Sequence, residues 1–377
     1  MEKFKIVIPC LFGLESLVSK ELKWLGYDTF SVEDGKVSFL GDFEAVCRAN
    51  IWIRCGERVL IEVGQFEAVT FDELFEKTRA IRWADWIPKD AAFPVKGFCL
   101  KSNLASMRDC QAIIKKAVAT SLSESYGIDW LEETGATYQL QFSVMKDKVS
   151  LMIDTSGDGL HKRGYRRISN AAPLKETIAA AMVMLSFWKY EYPLCDLFCG
   201  SGTIPIEAAM FKRNIAPGIS RNFSAENFAQ ISPSLWSSAR QEARDKVRNT
   251  PLNILASDID AEIIPTAEQN AKIAGVSDAI KFSVSDATKF SSSESYGSII
   301  SNLPYGERMG NKTDCEKLYA DFGRTFSHLS DWSCYIIASD ENFEKHFGKR
   351  ADKRRKIYNG MIKCNIYQDY GARPPKK

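Results

Sequence analysis

Histidine is scarce in this chain: His161, His328 and His346 are the only three among 377 residues, and the ten cysteines include no C-x-x-C pair. A structural zinc site needs two clusters of such ligands, so no metal is expected. Cys195 and Cys199 stand closest together, at a strand end, and no second pair follows them. The cysteines therefore read as reduced and mostly buried thiols. No run approaches the roughly 20 apolar residues that span a bilayer. Met1 to Lys5 pass directly into Ile6-Val7-Ile8, without the long apolar core or cleavage site of a signal peptide. A cytoplasmic location with no membrane partner is the expectation. Neither sign of charge dominates: 50 basic against 48 acidic residues leave a net +2, so overall charge does not point to a nucleic acid. Internal repeats and low-complexity tracts are also missing.

What is present is enough chain for two or three domains, with 45% hydrophobic and 26% charged residues, as in soluble globular proteins. Charge is unevenly spread. Residues 1–164 hold 21 basic and 24 acidic residues, and the remainder 29 and 24; Lys349 to Lys377 alone carry 10 basic residues against Asp352 and Asp369. That basic C-terminal stretch is available for phosphates, although solvated lysines would look the same. The first 155 residues read as mixed α and β. Strands are expected at Phe4–Pro9, Lys36–Leu40, Arg58–Val63, Tyr138–Met145 and Lys148–Asp154, with helices at Leu14–Leu25, Phe71–Thr78 and Asp109–Tyr126. Such runs suggest small α+β units with an antiparallel sheet. A boundary falls at Ser156-Gly157-Asp158-Gly159. The basic stretch Leu160 to Arg167 follows, with His161, Arg163, Tyr165 and Arg166. It fits either a linker that touches phosphate and stacks on a base, or a charged hinge.

From residue 172 strands and helices alternate. Helices are expected at Leu174–Phe187, Ile204–Arg213, Ala261–Ala274 and Glu316–Leu329. The strands are Leu194–Phe198, Asn253–Ser257, Ile280–Val284, Ser298–Ser301 and Cys334–Ala338. This indicates a parallel sheet covered on both faces, which binds ligands at the carboxyl ends of its strands. Gly218 to Thr250, with Phe223, Phe228 and Trp236, fits either an insertion covering the pocket or ordinary amphipathic packing.

Four motifs stand at those strand ends. Asp196-Leu197-Phe198-Cys199-Gly200-Ser201-Gly202-Thr203 ends a strand and opens a helix. Gly200 and Gly202 permit a tight turn and close approach to a ligand. The loop lacks the third glycine of a dinucleotide fingerprint and the Gly-Lys-Ser/Thr of a P-loop, which argues against NAD and nucleoside triphosphates. It suits a cofactor with an amino-acid end and no phosphate, the shape of S-adenosylmethionine. Asp258, in Ser257-Asp258-Ile259-Asp260, can accept bonds from both ribose hydroxyls; Asp260 equally suits a helix cap. Asp286 can accept from an adenine amino group, or cap the turn that follows it. The fourth motif is Asn302-Leu303-Pro304-Tyr305-Gly306-Glu307-Arg308. An exocyclic amine is a poor nucleophile because its lone pair is delocalised. Acceptors at the Asn302 side chain and the Leu303 or Pro304 carbonyl would pyramidalise the nitrogen and stabilise its developing positive charge. Tyr305 would stack on a base swung into the pocket.

Together these residues resemble the THUMP-domain class I S-adenosylmethionine-dependent RNA methyltransferases, of the RlmL/TrmN-like guanine-N2 type. The likeness covers nearly the whole chain. His161 to Arg166 match the family's Leu-His-x-Arg-Gly-Tyr-Arg linker, and Ala172-Pro173-Leu174-Lys175-Glu176 match the start of its catalytic domain. The resemblance implies an α/β protein with a ferredoxin-like piece over 1–60 and a THUMP RNA-binding module over 61–155, the two overlapping from about 45. A basic linker over 156–171 and a Rossmann-like, doubly wound methyltransferase domain over 172–377 complete it. It assigns Asp196, Phe198, Gly200, Gly202, Asp258 and Asp286 to the cofactor, and Asn302, Pro304 and Tyr305 to the target base. Contact with RNA falls to His161, Arg163, Tyr165 and Arg166. The expected reaction is N2-methylation of guanine in large-subunit rRNA, with tRNA sharing the architecture. The family's motif is usually Asn-Pro-Pro-Tyr, whereas Leu303 stands second here. Rival readings are an adenine-specific DNA methyltransferase, a glutamine-modifying enzyme, or an RNA-binding assembly protein on an inactive methyltransferase frame. Glu307 and Arg308 suit a salt-bridged loop as well as substrate contact.

Overall fold

The computed structural model describes residues 3–166, 174–304, 312–360 and 362–374. Two compact units divide the chain. The first comprises Met1–Cys10, Ser19–Leu160 and Arg221–Glu242; the second comprises Leu11–Val18, His161–Ser220 and Ala243–Lys377.

The elements up to residue 154 are β1 (Phe4–Pro9), α1 (Glu15–Trp24), β2 (Phe30–Glu33), β3 (Lys36–Gly41), α2 (Phe43–Trp52), β4 (Leu60–Glu67), α3 (Phe71–Arg79), β5 (Val95–Leu100), α4 (Met107–Tyr126), β6 (Leu140–Met145) and β7 (Lys148–Asp154). The strands form one sheet in the order β2-β3-β1-β4-β7-β6-β5, antiparallel throughout except for β5 on β6. Strand β4 pairs with β1 on one side (Lys5↔Glu62) and β7 on the other (Leu60↔Asp154). The stretches 1–60 and 61–155 therefore share a single sheet rather than building two. Local chemistry sets the helix starts. The Asp42 carboxylate accepts from the Ala45 N–H at 3.0 Å to cap α2, and Thr70 and Ser106 cap α3 and α4 in the same way. Gly127, at φ +64°, ends α4.

Residues 221–242 group with this first unit. Within that unit the segment packs closely. The Phe228 ring stacks on Tyr138 with centroids 4.0 Å apart. The Tyr138 hydroxyl accepts from the Ala229 N–H and bonds Gln230 Oε1, each at 3.0 Å. Arg221 donates to the Gly159 and Asp158 carbonyls, and Arg48 grips Glu242 through two bonds of 2.8 and 2.9 Å.

The remaining elements are α5 (Glu176–Leu185), β8 (Leu194–Asp196), α6 (Thr203–Lys212), α7 (Pro233–Asp245), β9 (Ile254–Asp258), α8 (Ile264–Ile273), β10 (Ile280–Val284), β11 (Ser298–Asn302), α9 (Lys312–Ser327), β12 (Ser333–Ala338), α10 (Phe343–Phe347), β13 (Lys353–Asn359) and β14 (Ile362–Asp369). The second sheet runs β10-β9-β8-β11-β12-β14-β13. Its first five strands are parallel, and β14 and β13 close the edge as an antiparallel hairpin. Chain order reverses between β8 and β11, so the crevice at their carboxyl ends is the ligand position of such a sheet. An apolar cluster of Ile299, Leu303, Tyr319, Phe322, Trp332 and their neighbours fills one side. No helix among the described residues is long and apolar enough to cross a membrane.

Candidate active site

The loop after β8 has its shape because two residues adopt positive φ: Gly200 at +51° and Gly202 at +83°. Gly202 is also pressed against α8, where an added Cβ would lie 3.2 Å from that of Ala267. Asp258, ending β9, accepts from the Gly200 N–H at 2.8 Å and the Asp260 N–H at 3.1 Å, pinning the loop to the neighbouring strand. Asp196 is buried at the end of β8. It accepts from the Ser301 hydroxyl at 2.8 Å and the Phe198 N–H at 3.3 Å. Burial pushes its carboxyl up to about 7. Ser301 in turn accepts from the Leu197 N–H, so one hydroxyl stitches β8 to β11 at the point where chain order reverses.

Asp286 follows β10. It accepts from the Thr288 hydroxyl at 2.7 Å and N–H at 2.9 Å, the capping role open to it from sequence, and those bonds hold its carboxyl below the usual range. Asn302 ends β11. Its side-chain oxygen is buried and accepts no hydrogen bond among the described residues, an arrangement that costs energy unless a ligand supplies the donor. Two residues on, the Pro304 carbonyl accepts from the Tyr319 hydroxyl at 2.8 Å and keeps one lone pair. The Leu303 side chain is buried in the apolar cluster.

A cavity of about 490 Å³ gathers Asp196, Phe198, Gly200, Asp258, Asp286, Asn302 and Pro304 on its walls. Gly202 stands just behind them as the residue that opens α6. Tyr305, Glu307 and Arg308 lie outside the described residues, as do Arg167 and the Ala172-Pro173 pair. Sequence reasoning passed over several others. Ser301 is one, a polar residue directly after the apolar pair Ile299-Ile300 of β11. Ile259, 72% exposed, offers an apolar wall beside Asp258, and Leu174 and Thr203 also line the cavity. The three carboxylates suit a ligand carrying positive charge, and the orphaned Asn302 oxygen suits a donor. Both fit S-adenosylmethionine and an amine substrate. No cluster of three His, Cys, Asp or Glu placed to hold a metal occurs among the described residues.

In the linker, Arg163 and Tyr165 are both buried, and both bond the buried carboxylate of Glu207, at 3.3 and 3.2 Å. Desolvating an arginine is costly unless a carboxylate compensates, and Glu207 on α6 does so. Arg166 is mostly buried as well, bonded to Glu176, Thr203 and the Leu174 carbonyl. His161 is half-buried.

Three family descriptions match successive parts of the chain: an RlmL ferredoxin-like domain over 5–60, a THUMP domain over 68–154, and an RMKL-like methyltransferase domain over 163–368. The chain therefore belongs to the RMKL-like methyltransferase family, whose members take the methyl group from S-adenosylmethionine. Among individual relatives, a Bacillus subtilis protein named "Putative RNA methyltransferase YpsC" is 46% identical over 381 residues, spanning 100% of this chain and 99% of its own. A solved structure titled "SMU.472, a putative methyltransferase complexed with SAH" (S-adenosylhomocysteine) is 39% identical, with a TM-score of 0.92 and full coverage of both chains. A Listeria monocytogenes structure titled a "predicted N6-adenine-specific DNA methylase" is 48% identical, with a TM-score of 0.93 over 99% of this chain and 97% of its own.

Proposed function

We propose that this protein methylates the exocyclic N2 of a guanine in RNA, with large-subunit rRNA as the substrate class. The observation that carries the proposal is the buried, unpartnered side-chain oxygen of Asn302 on the cavity wall. The THUMP and RlmL-type modules support an RNA substrate, as does the name of the Bacillus relative.

When bound, the donor supplies an electrophilic methyl group on a positively charged sulfur. The chain's residues do the rest. Asn302 accepts one N–H of the amine, and the spare lone pair of the Pro304 carbonyl accepts the other. Both bonds strengthen as positive charge grows on nitrogen, so they favour the transition state over the ground state. Tyr305 is assigned the stacking platform for the flipped base. No strong base is needed, because the proton departs after transfer. Asp258 holds the ribose and the glycine loop the amino-acid end. Asp286 borders the adenine from its capping position.

The test is methyl transfer from labelled donor to undermodified total RNA, followed by digestion to nucleosides and identification by mass. N2-methylguanosine in the large-rRNA fraction, absent with Asn302→Ala, is the expected result. The same product in the tRNA fraction would move the substrate to tRNA. Transfer to DNA as N6-methyladenine, the activity in the Listeria title, would overturn the RNA reading.

A further inference from the structure

Three successive residues of the Asn302 motif are held by three different means. Asn302 is the last residue of β11 and pairs with Ile337 on β12. Leu303 is fully buried in the apolar cluster, which also contains Tyr319 and Phe322 of α9 and Phe343 of α10. Pro304 is held by its carbonyl, which accepts from the Tyr319 hydroxyl at 2.8 Å. Tyr319 itself is 1% exposed, and the Phe343 ring meets it edge-on with centroids 5.2 Å apart. A phenol enclosed in this way has little freedom, so its hydroxyl fixes the carbonyl it bonds.

Asn302 and Pro304 both line the cavity. The Asn302 oxygen is buried and accepts nothing among the described residues, and the Pro304 carbonyl keeps one lone pair. An amine nitrogen between them places one N–H on each oxygen at about 2.9 Å. A methyl group in place of one hydrogen has no proton to donate, and its carbon must stay about 3.3 Å or more from the oxygen. With the C–N bond added, the nitrogen then sits more than an ångström further out. The end of a paired strand fixes Asn302, and a buried tyrosine fixes Pro304, so neither acceptor makes that room. Transfer forms the N–C bond as the S–C bond breaks; sulfur keeps the electron pair, and one N–H proton leaves to water. The product amine retains a single hydrogen and no longer fits two fixed acceptors.

We propose that Tyr319 is a positioning residue that locks the Pro304 carbonyl in place, so that the site takes an amine with two hydrogens and stops after one methyl. A site built to bond an N–H rejects an analogue that lacks it far more strongly than an apolar pocket rejects a spare methylene. The proposal rests on the reading of this site as one that methylates an exocyclic amine in RNA.

The experiment uses undermodified total RNA in two forms: as isolated, and after exhaustive methylation by the wild-type protein with unlabelled donor. Labelled donor is then supplied, and the nucleosides are identified by mass. The wild-type protein yields only the monomethylated base, with no transfer to the pre-methylated RNA. Tyr319→Phe, which removes only the hydroxyl, slows the first transfer by about tenfold or more and yields dimethylated base from the pre-methylated RNA. The Kd for S-adenosylhomocysteine, measured by calorimetry, stays at its wild-type value. A hydroxyl that served only folding would slow transfer to both RNAs in proportion. Dimethylation by the wild-type protein, or a variant whose second transfer does not rise relative to its first, overturns the proposal. No transfer to RNA by the wild-type protein would overturn the RNA reading itself, and the proposal with it.

Discussion

Each sheet ends a strand on a buried aspartate, and the two are used differently. Asp154, at the end of β7 in the first unit, is saturated: it accepts from the Ser156 and Gly157 N–H groups and from Gln141, and pairs with Arg58. Asp196, at the end of β8 in the second unit, has Ser301 and Phe198 as its donors among the described residues and lines a cavity. Burial raises both carboxyls, Asp154 against the pull of Arg58 and Asp196 with no cationic partner among the described residues. The cause is topological. Antiparallel neighbours alternate their carboxyl ends between the two edges of a sheet, and the polar residues just beyond β7, Thr155 and Ser156, bond Asn50 on α2 instead of lining a site. Parallel strands deliver every carboxyl end to one edge. There Asp196, Asp258, Asp286 and Asn302 meet without any of them being neighbours in sequence.

If that division is real, changes at the parallel edge should cost activity, and changes in the first sheet should cost stability. The largest effect is expected for Asn302→Ala. Loss of one preorganised partner of the developing charge typically lowers turnover by about 10² to 10³, here with the Kd for S-adenosylhomocysteine unchanged. An equal rise in that Kd would show that Asn302 serves cofactor binding rather than the amine. The counterpart in the first unit is Phe228→Ala, which removes the ring stacked on Tyr138. Denaturant unfolding should show a loss of about 3–5 kcal/mol, as for other buried phenylalanines, with cofactor affinity at its wild-type value. A large loss of affinity in that variant would break the comparison.

The sequence made the parallel edge readable because its signals are local. Glycines, aspartates and an asparagine directly follow apolar runs, and each run is short enough to be a strand. Elements whose identity depends on distant partners were harder to see. Strand β13, Lys353 to Asn359, carries four basic residues in its first four positions, which mask the alternation of an edge strand that only β14 covers. Strand β5 contains Gly97, a weak strand former; a Cβ there would come within 2.2 Å of the Phe142 carbonyl on β6, so glycine is required by the neighbour. Helix α2 went unnoticed although Asp42 caps it. The burial of the linker was hidden for the same physical reason. Arg163 and Tyr165 read as solvated until Glu207, more than forty positions away, supplies the carboxylate that lets them be buried.

Within the parallel edge, the two loop glycines should differ. Both have positive φ, which costs a residue with a Cβ roughly 1–2 kcal/mol. Only at Gly202 does the new methyl also crowd α8, whereas Gly200 faces open space. Gly202→Ala should therefore weaken S-adenosylhomocysteine binding by about tenfold or more, and Gly200→Ala by less. Calorimetry on the two variants side by side decides this, and the reverse order would mean that contact with the cofactor, rather than packing on α8, limits the loop.

The smallest expected effect compares the two aspartates through pH. Asp196 has its carboxyl raised from 3.8 to about 7, so between those values the folded state holds a proton that the unfolded state has already released. The stability this confers is fully present below pH 3.8 and is lost as pH rises through about 7. Asp196→Asn keeps an oxygen for Ser301 and Phe198 but removes the titration. Denaturation midpoints measured from pH 5 to pH 8 should therefore fall less steeply in the variant than in the wild type. Some slope should survive, because Glu176, raised by burial from 4.5 to about 7, titrates in the same window. Asp154→Asn is the control that separates the sheets. It removes a charge that Arg58 and two backbone N–H groups compensate, so its main signature should be a loss of stability at every pH above the carboxyl's titration. If the wild-type and Asp196→Asn profiles run parallel, Asp196 is ionised throughout, and the contrast between a saturated and an under-satisfied strand end would have to be abandoned.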